Sequence, residues 1–287
     1  MSLFRCKVPR LVGVWMVAAL LAHASAAYAG GGWTRARSGG YAKIGVTAVS
    51  TKTYHPLTGG SIETVRFRQQ VVGLYAEYGL TDRWEAMLNT PVYRRAAYTT
   101  ATPSQGFGDM QMGVRYGVLR GKWPLAVGVV VEAPTGNAEA RGRNRQDPRL
   151  SIALPTGDGE WNVWTRAAVS HSLAPRLPAY VTFDAGYNQR TRGFTSQYTY
   201  GAELGYQVGS AWLMASVHTL ASVRSPRSDR LASIGLGEGV EYSTYSAGVN
   251  YAVTKHWWAT ANVAGGFGRL RNVYSGAQLT AGVAVEW

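Results

Sequence analysis

The sequence predicts an all-β fold, a transmembrane antiparallel up-and-down β-barrel of about twelve strands. Three observations predict it: a strictly alternating segment ends the chain, short alternating segments recur along it, and their connections are short and long in turn. Successive side chains of a strand point to opposite faces, so such alternation indicates strands with one apolar and one polar face.

The last alternating segment runs from Gly276 to Trp287. Its apolar face contains Ala277, Leu279, Ala281, Val283, Val285 and Trp287. The pattern, ending on an aromatic residue, resembles the C-terminal signal by which outer-membrane barrels are recognised for insertion. The resemblance implies that the barrel-assembly machinery recognises Val283, Val285 and Trp287.

Residues 1–29 contain the segments of a secretory signal peptide in their usual order. Basic residues precede an apolar run from Leu11 to Leu21, and Ala27-Tyr28-Ala29 supplies a small-x-small cleavage site. The run is too short and wrongly flanked for a membrane-spanning helix. We expect export across the inner membrane of a Gram-negative bacterium, cleavage after Ala29, and one outer-membrane barrel over residues 30–287. A retained N-terminal anchor is the less favoured alternative.

Composition favours a membrane barrel over a soluble core. The chain has 35 glycines, 17 tyrosines and 10 tryptophans but only 16% charged residues, below the roughly 25% of soluble proteins. After residue 29 no apolar run approaches the ~20 residues of a transmembrane helix. The net charge of +13 would suit nucleic acid, but a secreted chain with its arginines in loops is not expected to bind it. Cys6 is the only cysteine, so the mature chain is expected to lack disulfides and thiolate metal sites.

Twelve strands are predicted between turn signals. They cover residues 41–53, 64–79, 83–97, 109–119, 124–133, 160–173, 178–191, 197–208, 211–223, 240–253, 256–268 and 275–287. Tight turns follow every second strand, and the other connections are mostly longer. This asymmetry is typical of outer-membrane barrels, with short periplasmic turns and long extracellular loops. Strands ~4.8 Å apart and tilted ~40° close a cylinder about 24 Å across, with a passage of roughly 10 Å between side chains.

Five charged residues fall on faces expected to line the lumen, because a charge that faces lipid costs about 2–4 kcal/mol. They are Arg115, Glu132, Arg166, Asp184 and Glu203. If the turn after the sixth strand centres on Pro175, Arg166 and Asp184 face each other directly. Two interpretations stay open: the charges fill and stiffen the barrel, or they form a constriction that selects solutes.

No pattern predicts catalysis, a cofactor or a metal site. The four histidines after residue 29 are far apart, and no H-E-x-x-H, G-x-S-x-G or P-loop pattern occurs. The most specific enzymatic alternative is an outer-membrane phospholipase, whose nucleophilic serine would need a histidine beside it. Ser170-His171-Ser172 is the local candidate, but neighbours on a strand point to opposite faces.

Arginine is concentrated near the long loops, where guanidinium groups suit phosphates through bidentate hydrogen bonds. Outer-membrane lipid and lipopolysaccharide are therefore expected partners. The longest loop, residues 134–159, contains Arg141, Arg143, Arg145, Asp147 and Arg149 and is the best candidate for an inward-folding gate. The other loop arginines are Arg94, Arg95, Arg190, Arg192, Arg224, Arg227, Arg230, Arg269 and Arg271.

Four short pieces resemble, in order and spacing, the outer-membrane family named for the MetA pathway of phenol degradation, whose members are described as transporters. They are Tyr78-Gly79-Leu80-Thr81-Asp82-Arg83-Trp84-Glu85, Gly106-Phe107-Gly108-Asp109, Pro134-Thr135-Gly136 and Leu154-Pro155-Thr156-Gly157-Asp158. The resemblance implies a barrel linked to uptake of small aromatic or other hydrophobic compounds, and it carries over no functional residue. Only about eleven residues of the expected mature chain precede the first strand, so no plug like that of fatty-acid transporters is expected.

The predicted function is a porin-like outer-membrane channel or transporter for passive passage of a small-molecule solute, hydrophobic or aromatic, with no cofactor. The alternative is a structural or adhesion barrel that conducts nothing and whose external loops bind lipopolysaccharide or a partner. The sequence leaves the oligomeric state open.

Overall fold

Twelve antiparallel strands form one closed barrel in the computed structural model, which describes residues 31–225 and 236–287. The barrel strands are β1 (Gly40–His55), β2 (Ile62–Gly79), β3 (Trp84–Tyr98), β5 (Met110–Leu119), β6 (Leu125–Ala133), β9 (Asn162–Ser172), β10 (Ala179–Arg190), β11 (Gln197–Val208), β12 (Ala211–Ser222), β13 (Glu241–Ala252), β14 (Trp257–Arg271) and β16 (Gln278–Glu286). Each pairs with its neighbours along the chain, and β1 pairs with both β2 and β16, which closes the ring. The expected signal peptide and the loop arginines Arg227 and Arg230 lie outside the described residues.

Four short strands lie in the connections. They are β4 (Ser104–Gly106), β7 (Arg141–Arg143), β8 (Ser151–Ala153) and β15 (Val273–Ser275). β4 pairs with β3, β7 pairs with β8 as a separate hairpin, and β15 pairs with β1. These strands are too short to show alternation, which is why the sequence predicts loops there.

The all-β barrel fold and its twelve strands are confirmed, and the differences concern strand ends. β1 and β2 continue to His55 and Ile62, into the predicted loop, because their pairing persists after the apolar alternation has stopped. The last strand begins at Gln278 and not at residue 275, because residues 273–275 form β15.

Short and mostly longer connections alternate around the barrel, although the two connections that flank β10 both have six residues. Residues 80–83, 120–124, 173–178, 209–210 and 253–256 form one end, which we call the short-turn end. The longer connections form the opposite loop end. The backbone N–H of Gly40 donates to the carbonyl of Trp287 over 3.0 Å, so the first and last barrel strands start and finish together at the short-turn end.

The two faces of each strand differ in exposure. On β5 and β6, Met112, Val114, Val127, Val129 and Val131 are exposed on the outer wall. The residues between them face inward and are mostly buried or half-buried. No helix in the two described ranges is long and apolar enough to cross a membrane.

Glycines bring the two closing strands close together. Gly45 of β1 pairs with Gly282 of β16. A Cβ atom on Gly282 would lie 2.5 Å from the carbonyl oxygen of Ile44 and 2.9 Å from the Cα of Gly45, both backbone atoms that cannot rotate away. The closing pair of strands therefore requires glycine at this position.

We expect Gly282→Ala to destabilise the barrel by about 1–3 kcal/mol, the usual effect of forcing extra atoms into a packed site. The denaturant midpoint of the folded barrel in detergent measures this effect. Gly73→Ala is the matched control, because a Cβ atom on this glycine of β2 would meet nothing within 4 Å. Equal midpoints for the two variants would contradict the expectation.

Candidate functional site

The five predicted lumen residues belong to different groups of contacts and do not converge on one site. Arg115 belongs to a network at the short-turn end, and Glu132 accepts hydrogen bonds from Gln111 and Asn162 toward the loop end. Arg166 lies over the ring of Trp164, with its Cζ 4.8 Å from the ring centre. Glu203 accepts a hydrogen bond of 2.7 Å from the hydroxyl of Tyr180.

Arg166 and Asp184 are not directly opposite each other. The hairpin pairs Ser172 with Tyr180 and so centres on residue 176, which places Arg166 opposite Gly186 and Asp184 opposite Ala168. The prediction that they face each other assumed a turn centred on Pro175, one residue earlier.

Asp184 instead contacts His218, with 3.0 Å between Oδ1 and Nε2. Gly201 lies between them in register, opposite Asp184 on one side and His218 on the other. A Cβ atom at residue 201 would lie 2.1 Å from His218 Cδ2. The glycine therefore lets the imidazole lie across β11 and reach the carboxylate.

Residues 31–39, which we call the strap, cross the lumen at the short-turn end. At one side Ser38 N–H donates to the carbonyl of Gly79 over 2.8 Å. At the other side Gly32 N–H donates to Ser170 Oγ over 2.8 Å, and the ring of Trp33 meets Tyr180 edge-on at 5.8 Å. The strap therefore spans from β2 to β9 and β10. The sequence predicts no plug like that of fatty-acid transporters, and it does not predict that this short segment crosses the mouth.

Two arginines and three glutamates hold the strap. Arg35 donates from Nε to Glu77 over 3.1 Å, contacts Glu286 of the last strand, and donates its backbone N–H to Glu85 over 2.7 Å. Arg115 donates to Glu85 over 2.5 Å and to the strap carbonyls of Gly31 and Trp33. The side chains of Glu77 and Glu85 are fully buried. The network thus links the strap to both the first and the last parts of the barrel.

The same alternation that identified Arg115 places Glu77 and Glu85 on inward faces, flanking the first tight turn. No local sequence pattern predicts their contacts with Arg35, because Glu77 and Glu85 are 42 and 50 residues away from it in the chain.

At the loop end, residues 152–160 and 236–240 fold inward, and we call these two segments the loop cover. Leu154 is fully buried in a cluster with Phe67, Ala96 and Tyr98 of the barrel. Gly237 N–H donates to Asp158 Oδ1 over 2.7 Å, which joins the two segments.

Arg190 connects the loop cover to the barrel wall. Its Nε donates to Glu160 Oε1 over 2.6 Å, its Nη2 to Asp158 over 3.3 Å, and its Nη1 to the carbonyl of Gly237 over 3.0 Å. Burial raises the pKa of Glu160 to about 7, although the neighbouring guanidinium of Arg190 acts in the opposite direction. Burial also raises the pKa of Asp158.

The predicted gate residues lie beside the loop cover and not within it. Arg141, Arg143, Arg145, Asp147 and Arg149 are all exposed on the β7–β8 hairpin. Two arginines counted with the loops, Arg94 and Arg190, instead point into the lumen, because both occupy inward positions near the loop ends of β3 and β10.

Between the covers the lumen contains two neighbouring cavities. One has a volume of about 140 Å³ and is lined by polar side chains that include Asn162, Asn188 and Gln197. The other has a volume of about 380 Å³ and is lined by both polar and apolar side chains. Tyr242 lines both cavities and lies between them.

Ser170 and His171 are on opposite faces. Ser170 is buried and bonded to the strap and to Thr182, whereas His171 stacks on Trp123 with 4.2 Å between ring centres. This dipeptide therefore forms no serine–histidine pair. Among the residues that the structure describes, no group of three or more His, Cys, Asp or Glu could hold a metal ion.

We expect Arg35→Ala to detach the strap, because it leaves Glu286 without its cation and Glu77 with Arg115 alone. Removing one partner of a buried pair costs about 3–5 kcal/mol. Hydrogen exchange of the strap amides, followed by mass spectrometry, should become much faster. Arg37→Ala is the control, since this exposed strap residue contacts Asp82 through its backbone only. Unchanged exchange in Arg35→Ala would show that the network does not hold the strap.

The barrel is similar to solved outer-membrane proteins. It aligns with the COG4313 outer membrane channel from Pseudomonas putida F1 with a TM-score of 0.63 and 16% identity, covering 91% of this chain and 99% of that one. It aligns with the NanC porin with a TM-score of 0.52 and 9% identity, covering 86% and 100%. The translocator domain of the autotransporter NalP from Neisseria meningitidis gives a TM-score of 0.51 and 11% identity, covering 96% of each chain.

No family model matches the chain, and no curated protein matches its sequence. At these identities the structural likeness establishes the fold. Proteins with different tasks share that fold, so the function must be argued from the lumen itself.

Proposed function

We propose that the protein is an outer-membrane channel for passive passage of small molecules, hydrophobic or aromatic in character. The observation that carries the proposal is the pair of lumen cavities, of about 140 and 380 Å³, between the strap and the loop cover. A barrel that serves only as a scaffold gains stability by filling such space with side chains, since protein interiors are close-packed. The proposal assigns the chain no reaction and no cofactor.

Passage would require both covers to move. The loop cover contacts the wall through the Leu154 cluster and through Arg190, and the strap through Arg35 and Arg115. Neither cover contains a barrel strand, so either can leave without breaking the ring of strand pairing. The resemblance of four sequence pieces to the MetA-pathway family favours small aromatic solutes.

The outer wall supports an outer-membrane location. On β2 the outward positions from Val72 to Tyr78 are mostly apolar, and Gln70, Arg68 and Arg66 follow on the same face toward the loop end. Arg95 of β3 pairs in register with Gln70. A group of guanidiniums directly beyond an apolar band suits the lipid phosphates of the outer leaflet, including those of lipopolysaccharide. This arrangement supports the orientation with the loop end outside.

One observation favours the alternative of a structural or adhesion barrel. Both mouths are covered, and the networks around Arg35 and Arg190 are fully buried or nearly so. A barrel that stays covered conducts nothing, and its exposed β7–β8 hairpin with four arginines would then be the surface that binds lipopolysaccharide or a partner.

Uptake by proteoliposomes separates these functions. Vesicles with the purified protein are compared with protein-free vesicles and with an unrelated barrel, using a small phenolic solute and a sugar of similar mass. Faster entry of the phenolic solute alone supports the proposal. Equal acceleration of both means a general pore, and no acceleration by a folded barrel favours the structural alternative.

Conductance should rise with pH between about 5 and 8. The pKa of Glu160 is raised from 4.5 to about 7 in the closed loop cover. Protonated Glu160 therefore stabilises the cover fully below pH 4.5, and this contribution, about 3 kcal/mol at most, is lost as the pH rises through 7. Asp158, whose pKa is also raised, adds a contribution of the same sign.

Single-channel recordings of Glu160→Gln test this dependence. The amide cannot lose a proton, so its conductance should stay low at pH 8 while the wild type opens. Glu139→Gln, an exposed acid of the same loop, should keep the wild-type profile. A wild-type conductance that falls with pH would contradict the assignment.

A further inference from the structure

We propose that the larger lumen cavity is a binding site for a small carboxylate with an apolar or aromatic body, and that Arg94 binds its carboxylate. This inference rests on the proposed channel function and names the class of solute. It depends on three features: the contacts of Arg94, the polarity of the cavity wall and the cavity volume.

The first feature is an arginine that none of the described carboxylates contacts, although Asp158, Asp109 and Glu132 act on it from a greater distance. Arg94 Nη1 donates to the carbonyl of Thr156 over 3.3 Å, and Arg94 Nε is buried without a hydrogen-bond partner. Across the described part of the chain, no carboxylate oxygen lies within 4.0 Å of this guanidinium. The lumen arginines Arg115 and Arg190 each contact a carboxylate. A buried guanidinium with an unsatisfied N–H and no carboxylate in contact is unfavourable, so an anion that bonds directly to it is favoured.

The geometry of the guanidinium specifies the kind of anion. Because Nη1 is engaged by the loop cover and Nε is covered by neighbouring atoms, a ligand reaches the edge formed by Nε and Nη2 only when those atoms shift. A planar carboxylate accepts two parallel hydrogen bonds from such an edge. Arg166, the other lumen arginine with an unpartnered Nε, lies on Trp164 and does not line this cavity.

A second donor points to the same place. Gln69 lines the cavity, and its Nε2 is buried without a partner. In the pairing of β2 with β3, Arg94 is opposite Val71, so Gln69 is its diagonal neighbour on the same face. Diagonal neighbours are about 7–8 Å apart at their backbones, within reach for two long side chains that share one ligand.

One side of the wall is apolar, whereas Tyr242, Thr244, Ser275 and Gln278 contribute polar groups elsewhere. Phe67 is only 1% exposed, and Tyr274 stacks on it with 4.5 Å between ring centres. Leu270 and Val273 complete this side of the cavity. The volume of about 380 Å³ is within the ~300–1,000 Å³ of small-molecule sites. A sugar would leave the aromatic side without complementary apolar surface, and a neutral aromatic compound would leave Arg94 without an anion in direct contact.

Calorimetry on the detergent-solubilised protein tests the site with three probes. Benzoate has the charge and the ring, benzamide has the ring without the charge, and acetate has the charge without the ring. We expect benzoate to bind at least about ten-fold more tightly than either, because both charge-assisted hydrogen bonds and ring burial contribute. Equal affinity for benzoate and benzamide would overturn the proposal, and this comparison needs the wild type only.

Two variants locate the site. Arg94→Gln should weaken benzoate binding about ten-fold or more and leave benzamide binding unchanged. Arg95→Gln is the matched control, since the neighbouring arginine lies on the outward face and does not line the cavity. If benzoate affinity is unchanged in Arg94→Gln, or if it falls equally in Arg94→Gln and Arg95→Gln, the anion binds elsewhere.

Binding in detergent requires no conduction, so the two proposals can fail separately. Conduction without a preference for benzoate would support the channel proposal and contradict the binding-site proposal. Benzoate binding to a barrel that admits no solute would support the binding-site proposal and contradict the channel proposal.

Discussion

The pairing of β1 with β16 is the interaction on which the rest of the structure depends. It joins the first and last strands of the ring, so no barrel strand is left with an unpaired edge. Once the ring is closed, the alternation of each strand divides side chains between an outer wall and a lumen of limited volume. The aligned glycines Gly45 and Gly282 show how little space the closing pair allows. A charge on an inward face is then unfavourable unless it finds a partner inside that volume.

The lumen satisfies this requirement differently at its two ends. At the short-turn end Arg35 and Arg115 face Glu77, Glu85 and Glu286, so opposite charges are close to balance and every member has a partner. At the loop end Arg190 contacts Asp158 and Glu160, whereas Arg94 contacts no carboxylate of the described residues within 4.0 Å. The proposed anion site therefore lies near the loop cover, whereas the strap is held by charges that pair with one another.

The barrel could be predicted because its signal is local. Alternation and turn residues act over a few positions, and they identified all twelve strands and the inward positions of Arg115 and Glu203. The contact of Asp184 with His218 was missed because it depends on the register of two hairpins, and a centre shifted by one residue moves each facing position by two. The strap was missed because its contacts join residues far apart in sequence, such as Arg35 and Glu286, 251 residues apart. Inward folding of Leu154 likewise depends on cluster partners from β2 and β3.

The contact between Arg35 and Glu286 also has a consequence for the order of assembly. Arg35 precedes the first strand, whereas Glu286 is the last residue of the last strand. The complete strap network cannot form until the final strand lies beside the first, however early the strap itself is synthesised. The contact between the strap and the last strand is therefore made late, and a chain with an unfinished wall lacks it.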